Sequence, residues 1–234
     1  MKFIPYESRV RAGEILAEFI LSQHQDLKRI IEEKKENVFL FAIPNGGVPV
    51  AEGFCNVLKI NYDILIVRKI KIPYNTEAGF GSVTTDGTIL INQSLFSRLN
   101  LSKKAIEGSI ETTKKEIRER IEFYNKPADL ESSYNYFINK KCIFIVDDGL
   151  ASGFTMLAAI KMIKKYNPKK IYVGVPTAPH HTIERLIHEV DDIYSPNIRN
   201  TSWFAVADAY KYWYDVPESE VLDILRVSKH YFRG

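Results

Sequence analysis

The stretch I-F-I-V-D-D-G-L-A-S-G-F-T, residues 143–155, decides the fold class of this chain. Its apolar, β-favouring start predicts a buried strand, and the residues that follow it, from Met156 to Ile160, predict a helix. Gly149 and Gly153 lie between the two and allow backbone angles at which successive N–H groups point into one concavity. The stretch therefore predicts a strand, a loop and a helix, with an anion cradle at the helix N-terminus.

The side chains around this cradle indicate the kind of ligand. Asp147 and Asp148 stand just before it, and carboxylates accept hydrogen bonds from sugar hydroxyls but repel bare phosphate. Ser152 and Thr155 add hydroxyl groups that can donate to phosphate. One polyol end and one anionic end indicate a sugar phosphate. In the competing interpretation, the segment is an ordinary buried strand whose Asp or Ser only caps a helix.

A second glycine loop follows another predicted strand. Residues 38–43, V-F-L-F-A-I, form an apolar run short enough for a central strand, and residues 48–58 predict a helix with Pro49 in its first turn. The break between them, P-N-G-G, contains an Asn-Gly pair that is otherwise typical of a hairpin. Because two glycines again follow the carboxyl end of a strand, this loop also predicts close approach of backbone N–H groups to an anion.

Two cations end the next predicted strand. Residues 62–67 predict this strand, and Arg68 and Lys69 follow at its carboxyl end. Ligands of open α/β sheets collect at that end of the strands, so these cations can face an anionic substrate; a solvated strand end is the alternative. Residues 72–82 then predict a mobile excursion, and residues 80–91 predict a hairpin with a D-G turn.

The rest of the chain predicts further strands and helices. Helices are predicted over residues 9–20, 101–125 and 182–190, and strands over residues 171–175 and 192–194. Repeated strand–helix units with apolar strands favour an α/β fold with a doubly wound, mainly parallel central sheet flanked by helices. We expect one domain over residues 1–234, in which the long helix packs across the sheet or carries a dimer contact.

The composition excludes several classes of protein. Charged residues make up 26% of the chain and hydrophobic residues 45%, and the net charge of +3 comes from interspersed residues of both signs, as on solvated helix faces. No apolar run approaches the length of a membrane span, and charges come too early for a secretory signal. Cys55 and Cys142 show no metal-ligand spacing and indicate a reducing compartment. We therefore expect a cytoplasmic protein without nucleic-acid or membrane partners.

The cradle stretch resembles the phosphoribosyl pyrophosphate (PRPP) signature of the type I phosphoribosyltransferases (PRTases). The resemblance covers roughly residues 5–217 and is sharpest at residues 43–51, 68–87 and 143–155. The order R-K, E-x-G-x-G and D-G in the middle region is most similar to a subgroup described only as predicted phosphoribosyltransferases. The resemblance implies the type I PRTase fold, with a small hood subdomain at about residues 195–234 above the carboxyl edge of the sheet.

The resemblance also implies roles for the two glycine loops. The cradle would hold the 5-phosphate of PRPP through Gly149, Leu150, Ala151, Ser152, Gly153, Phe154 and Thr155. Asp147 and Asp148 would hold the ribose hydroxyls, directly or through Mg²⁺. Asn45, Gly46 and Gly47 would face the pyrophosphate, in a loop that commonly contains a non-proline cis peptide bond. Family members often carry Arg or Lys where this chain has Asn45.

Other residues receive roles from the same resemblance. Arg68 or Lys69 would face the pyrophosphate, and Glu77 would be an acid or base on a loop that closes over PRPP. Hypoxanthine-guanine PRTases usually carry Asp where this chain has Ala151, so the resemblance favours a different acceptor.

Aromatic residues dominate the chain from Thr201 onward. The segment W-F-A-V-A-D-A-Y, residues 203–210, resembles the hood strand of purine-type PRTases. In that arrangement Trp203, Phe204 and Val206 would contact the acceptor base. Core packing is the alternative for each ring.

The implied reaction is transfer of the 5-phosphoribosyl group from PRPP to a nitrogenous base or amine, with Mg²⁺ as cofactor and release of pyrophosphate. The implied partners are PRPP and a small nitrogenous acceptor, and a homodimer is the expected assembly. Two alternatives stay open. One is a PRPP- or nucleotide-sensing regulator that keeps the fold without turnover, and the other is a doubly wound domain unrelated to PRPP.

Overall fold

Strands and helices alternate along most of the chain in the computed structural model, which describes residues 3–127, 129–201 and 203–233. The strands are Val38–Ala42 (β1), Tyr62–Ile64 (β2), Val67–Ile72 (β3), Asn75–Thr84 (β4), Ile89–Ile91 (β5), Cys142–Val146 (β6), Lys170–Gly174 (β7), Thr177–Pro179 (β8), Asp192–Tyr194 (β9) and Asn197–Arg199 (β10). The α-helices are Arg9–Gln23 (α1), Gln25–Glu33 (α2), Gly47–Leu58 (α3), Gln93–Phe96 (α4), Lys103–Phe123 (α5), Leu130–Ile138 (α6), Phe154–Lys164 (α7), His180–Leu186 (α8) and Glu218–Val227 (α9).

The central sheet is parallel throughout, with the strand order β2-β1-β6-β7-β9. The chain moves from β1 to one neighbour, β2, and later returns to the other side of β1 with β6. The strand order therefore reverses between β1 and β6. Such a reversal is the topological switch point, where open α/β sheets bind ligands outside the carboxyl ends of the strands. The predicted doubly wound, mainly parallel sheet is confirmed.

Helices cover both faces of this sheet because successive side chains of a strand point to opposite faces. Leu40 and Ala42 of β1 join the apolar cluster formed with α1 and α3, whereas Phe39 and Phe41 join the cluster formed with α6 and α7. Every residue of β1 and of β6 is buried. Both strands are thus apolar on both faces, as their uninterrupted apolar runs predict.

A second sheet is antiparallel and consists of β3, β4 and β5. It contains the predicted hairpin, and Gly87 in the turn has a φ of 82°, a left-handed value that suits glycine. The mobile excursion predicted over residues 72–82 is wrong, because most of this segment is β4. Its Phe80 side chain is fully buried in the core, which ties the segment to α4 and α5.

The strand predicted over residues 62–67 is also corrected, because β2 ends at Ile64 and β3 belongs to the antiparallel sheet. At the break after Ile64, hydrogen bonds to a side chain take the place of hydrogen bonds to a neighbouring strand. The hydroxyl of Thr85 accepts from the N–H of Ile66 at 2.7 Å and donates to the carbonyl of Ile66 at 3.1 Å. The chain thereby turns out of the central sheet, and β3 carries its two cations into the hairpin.

The predicted hood strand over residues 203–210 is wrong, since its only regular element is a short 3-10 helix, Val206–Ala209. This segment pairs with the N-terminal segment through an isolated bridge. The N–H of Tyr6 donates to the carbonyl of Ala209 at 2.8 Å, and the N–H of Lys211 donates to the carbonyl of Tyr6 at 2.8 Å. The sequence did not predict α6 or α9. Among the described residues, no helix combines the length and the apolar character needed to cross a bilayer.

Candidate active site

The two glycine loops, residues 43–47 after β1 and residues 147–153 after β6, meet at the switch point. A Cβ atom on Gly46 would lie 2.0 Å from Oδ2 of Asp148, and one on Gly47 would lie 2.8 Å from the carbonyl oxygen of Val146. Neither position has room for a side chain, so glycine is required here by close approach. The peptide bond between Pro44 and Asn45 is cis, as the resemblance implies. Two distant stretches of sequence thus form one crevice.

The second loop presents free amides at the N-terminus of α7. Gly153 stands just before this helix with a φ of 71°. The carbonyl of Ala151 accepts from the hydroxyl of Thr182 at 2.8 Å, and the carbonyl of Ser152 accepts from Arg185. Both hydrogen bonds connect the loop to α8. In this loop and the first turn of α7, the amides of Gly149, Ala151, Ser152, Gly153, Thr155 and Met156 have no acceptor in the described part of the chain. Unpaired amides at a helix N-terminus form an anion site.

Two of the residues that were predicted to bind the 5-phosphate make other contacts in the structure. The N–H of Leu150 donates to the carbonyl of Thr177 at 2.9 Å, and the Leu150 side chain lies in the core. The N–H of Phe154 donates to the hydroxyl of Ser152 at 3.4 Å, and the Phe154 ring packs against the cluster that contains α7. Leu150 therefore anchors the loop to β8, and its amide is not available to a ligand.

The two aspartates differ in their surroundings. Oδ1 of Asp147 accepts from the N–H of Asp148 at 2.8 Å. Burial, together with the neighbouring carboxylate of Asp148, raises the pKa of Asp147 well above its usual range. Burial also raises the pKa of Asp148, although Arg9 opposes this shift. Within the described ranges, no group of three or more His, Cys, Asp or Glu side chains could hold a metal alone. The two carboxylates still fit Mg²⁺, which prefers a few carboxylate oxygens and substrate phosphates.

Arg9, which sequence reasoning missed, is the cation that holds Asp148. Its side chain is 5% exposed, and its Nε donates to Oδ2 of Asp148 at 2.8 Å. Its Nη2 donates to the carbonyl of Tyr214 at 3.0 Å. A signal did exist in the sequence, because Arg9 is the first position of the buried stripe of α1 that continues through Ala12 and Leu16. An arginine on the apolar side of an amphipathic helix indicates a buried partner.

The segment of residues 203–217, here called the strap, crosses the crevice from one loop to the other. A Cβ atom on Gly149 would lie 2.5 Å from Cγ1 of Val206, so the strap begins in direct contact with the aspartate loop. The hydroxyl of Tyr210 donates to the carbonyl of Asp148 at 2.6 Å. At the other end, Nδ2 of Asn45 donates to the carbonyl of Val216 at 2.8 Å. Asn45 thus fastens the strap to the loop that follows β1.

Of the three predicted acceptor residues, the structure brings only Val206 to a loop of the site. Trp203 is 91% exposed and extends into solvent. Phe204 is half-buried and belongs to none of the apolar clusters of the described residues. The rings of Tyr210 and Trp213 instead flank Arg9, the partner of Asp148, at 5.3 and 4.3 Å from its guanidinium carbon.

The predicted pyrophosphate cations lie on β3, and the cavity that they line contains no residue of either glycine loop. Arg68 and Lys69 line a cavity of about 560 Å³ between β3, α5 and the N-terminus of α9. Nη2 of Arg68 lies 3.7 Å from Oε1 of Glu218, which also pairs with Arg120. The Nε atom of Arg68 is buried and has no partner in the described part of the chain. The Glu77 side chain lies outside the described residues.

The chain is similar to known proteins over most of its length. A family model described as the phosphoribosyl transferase domain matches residues 14–213. A Mycobacterium tuberculosis protein, provisionally named a phosphoribosyl transferase, is 26% identical over 223 residues, which are 94% of this chain and 46% of that protein. The chain thus spans about half the length of the curated relatives it matches.

A solved structure shares this fold. The crystal structure of a Thermus thermophilus protein matches with a TM-score of 0.70 and 25% identity, over 94% of this chain and 97% of that one. The purine phosphoribosyltransferase of Pyrococcus horikoshii is more distant, with a TM-score of 0.39 and 17% identity over 82% of this chain and 86% of that one. This second likeness is too distant to indicate an acceptor.

Proposed function

Since the chain belongs to the phosphoribosyl transferase family, we propose that it transfers the 5-phosphoribosyl group of PRPP to a nitrogenous base or amine and releases pyrophosphate, with Mg²⁺ as cofactor. One observation carries the proposal. Two glycine loops meet at the switch point, and a pair of aspartates lies between an anion cradle and a second backbone site. A ligand with a phosphate at one end, a sugar in the middle and a second anion at the other end fits this order.

Each part of PRPP has a proposed partner. The free amides of Ala151, Ser152, Gly153 and Thr155 hold the 5-phosphate, helped by the N-terminus of α7. Asp147 and Asp148 accept hydrogen bonds from the ribose hydroxyls. The loop of Gly46 and Gly47 approaches the pyrophosphate through the backbone of Gly46, because the N–H of Gly47 already donates to the carbonyl of Ile43 at 3.0 Å. Arg68 has a buried Nε donor without a partner in the described part of the chain, and a pyrophosphate oxygen would satisfy it.

The reaction needs alignment and charge neutralisation more than covalent help from the protein. A nitrogen of the acceptor forms a bond to C1 of the ribose, the bond from C1 to the pyrophosphate oxygen breaks, and the acceptor gives up a proton. When bound, Mg²⁺ neutralises charge on the departing pyrophosphate. The loops hold donor and acceptor in line, and the strap excludes water from the crevice. Glu77 remains the proposed proton acceptor. Of the three predicted base contacts, Val206, which packs against Gly149, is the one that we propose.

A PRPP-sensing regulator without turnover is the second candidate, and one observation favours it. Asn45 brings no positive charge to the pyrophosphate loop, and its side chain is engaged by the strap. A site that binds PRPP while stabilising departing pyrophosphate weakly would suit a sensor. We propose a homodimer in the cytoplasm for either function.

A screen for pyrophosphate release separates the two functions. Purified protein is incubated with PRPP, Mg²⁺ and each of a panel of nucleobases and amines, and pyrophosphate is measured. The Asp147→Ala, Asp148→Ala double variant is the matched control for contaminating activity. Release with an acceptor, absent in the double variant, supports the transferase. Binding of PRPP without release for any acceptor contradicts the transferase and supports the sensor.

A further inference from the structure

Arg9 is a buried cation to which the family resemblance assigns no role. It lies in the first turn of α1, and its guanidinium is surrounded by the rings of Tyr210, Trp213 and Tyr214, whose centroids are 5.3, 4.3 and 5.3 Å from Cζ. Arginine is costly to bury unless its donors are paired. Here two donors are paired, one with Asp148 and one with the backbone of the strap.

The contact with Asp148 leaves that carboxylate little freedom. Nε of Arg9 donates to Oδ2 of Asp148 at 2.8 Å. The same oxygen would lie only 2.0 Å from a Cβ atom added to Gly46. The carbonyl of Asp148 accepts a hydrogen bond from the hydroxyl of Tyr210, and the N–H of Asp148 donates to Oδ1 of Asp147. The carboxylate is thus fixed through one oxygen from the side of α1. Its other oxygen, Oδ1, remains for a ligand in the crevice.

The contact with the strap joins this carboxylate to the opposite end of the site. Arg9 binds the carbonyl of Tyr214 and stacks on Trp213. Two residues further along, the carbonyl of Val216 accepts from the side chain of Asn45 in the pyrophosphate loop. One guanidinium therefore links the aspartate loop to a segment that is itself fastened to the other glycine loop.

We propose that Arg9 is a positioning residue for PRPP, which directs the Asp148 carboxylate at the ribose and couples the ribose site to the strap. This inference rests on the proposed function, since Asp148 must bind the sugar for its direction to matter. A lysine at this position would keep the charge but lose the planar fork that serves two acceptors and stacks on rings.

Affinity for PRPP tests the positioning role. Titration calorimetry with PRPP and Mg²⁺ should show a loss of about 100-fold for Arg9→Ala, the size expected when one partner of a buried, hydrogen-bonded charge pair is removed. Arg9→Lys should lose about tenfold, because one contact survives. The matched control is Arg11→Ala on the same helix, an exposed side chain that pairs with the half-buried Glu14, and it should bind PRPP like the wild type.

Tryptophan fluorescence tests the coupling between the ribose site and the strap. An arginine with only a structural role would not link this fluorescence to PRPP binding. The chain has two tryptophans, so Trp203→Phe leaves Trp213, stacked on Arg9, as the only reporter. PRPP should change the emission of Trp213 in this background. The change should be lost when Arg9→Lys is added, at PRPP concentrations that saturate the variant. Thermal unfolding of each variant verifies that it is folded.

The outcomes separate the two proposals. A wild type that binds no PRPP overturns the proposed function and the role of Arg9 with it. A wild type that binds PRPP, with Arg9→Lys and Arg9→Ala equally tight or tighter, overturns only the role of Arg9. An emission of Trp213 that PRPP leaves unchanged, or changes equally without Arg9, overturns the coupling. If Arg9→Ala does not fold, Arg9→Lys decides the result alone.

Discussion

The two halves of the candidate site are built in opposite ways. The glycine loops after β1 and β6 are local units of strand, loop and helix, and their glycines are in direct contact with neighbouring loop atoms. The strap has little regular structure, and distant side chains and backbone groups hold it, among them Arg9, Asn45 and Gly149. The loops should therefore tolerate no added atom, whereas the strap should lose function in steps as its contacts are removed.

The largest effect is expected in the loops, from Gly46→Ala. Its Cβ atom would lie 2.0 Å from Oδ2 and 2.4 Å from Cγ of Asp148, so the loop or the aspartate must move. We expect PRPP affinity, measured by calorimetry, to fall by at least about 100-fold, as for misplacement of a preorganised site. Gly108→Ala, in an exposed position of α5 with nothing near its Cβ, is the control and should be neutral or stabilise the helix. Unchanged affinity in Gly46→Ala would show that this contact is not part of the site.

The next effect is expected where the two halves touch, from Gly149→Ala. The added Cβ would lie 2.5 and 2.7 Å from the two methyl carbons of Val206. Overpacking of this kind costs about 1–3 kcal/mol of unfolding free energy. Val206→Ala removes both methyl carbons, so the double variant should recover at least half of the loss in urea unfolding. Purely additive losses would mean that the strap does not press on the loop.

A smaller effect is expected from Asp86→Asn, which loosens the hairpin from α7. The Asp86 carboxylate accepts from Thr84 and Thr88 in the turn and from Lys165 and Tyr166 after α7. The variant should lose about 1.5 kcal/mol of stability at pH 7, as for hydrogen bonds to a charged group. Its PRPP affinity should fall less than that of Gly46→Ala.

The pH dependence of this loss has a definite sign. Burial favours a higher pKa for Asp86, but hydrogen bonds from Thr88 and Thr84 lower the pKa below its usual value. A lowered pKa adds stability above the unfolded-state pKa, about 3.9, and this stability is lost as the pH falls through the folded-state pKa. The difference between wild type and Asp86→Asn should therefore shrink below about pH 4. A difference that grows on acidification would contradict this account.

The smallest effects are expected in the strap, where the two tryptophans should behave differently. Trp213 stacks on Arg9, and such a contact is worth about 0.5–2 kcal/mol. Trp213→Ala should therefore weaken PRPP binding by about threefold to tenfold. Trp203, which is 91% exposed, should be neutral for PRPP when changed to alanine. Equal losses for the two would contradict the placement of the strap.

The same comparison explains what the sequence could predict. The parallel sheet and both glycine loops follow from local patterns, because an apolar run, a glycine break and a helical period lie next to each other in the chain. Arg9 and the strap depend on contacts such as the one between Arg9 and Tyr214, which are 205 positions apart. The break after Ile64 depends on the hydroxyl of Thr85, which no local pattern marks. The two glycine loops were thus predictable, and the residues that tie them to the strap were not.

Calorimetric titration of PRPP with Mg²⁺ tests the central claim most directly, that the two loops at the switch point form one PRPP site. The wild type is compared with the Asp147→Asn, Asp148→Asn variant, which keeps the size of both side chains and removes their charges. We predict binding of one PRPP per chain at micromolar to millimolar strength to the wild type, and none to the folded variant. No binding to the wild type, or equal binding to both proteins, would contradict the claim.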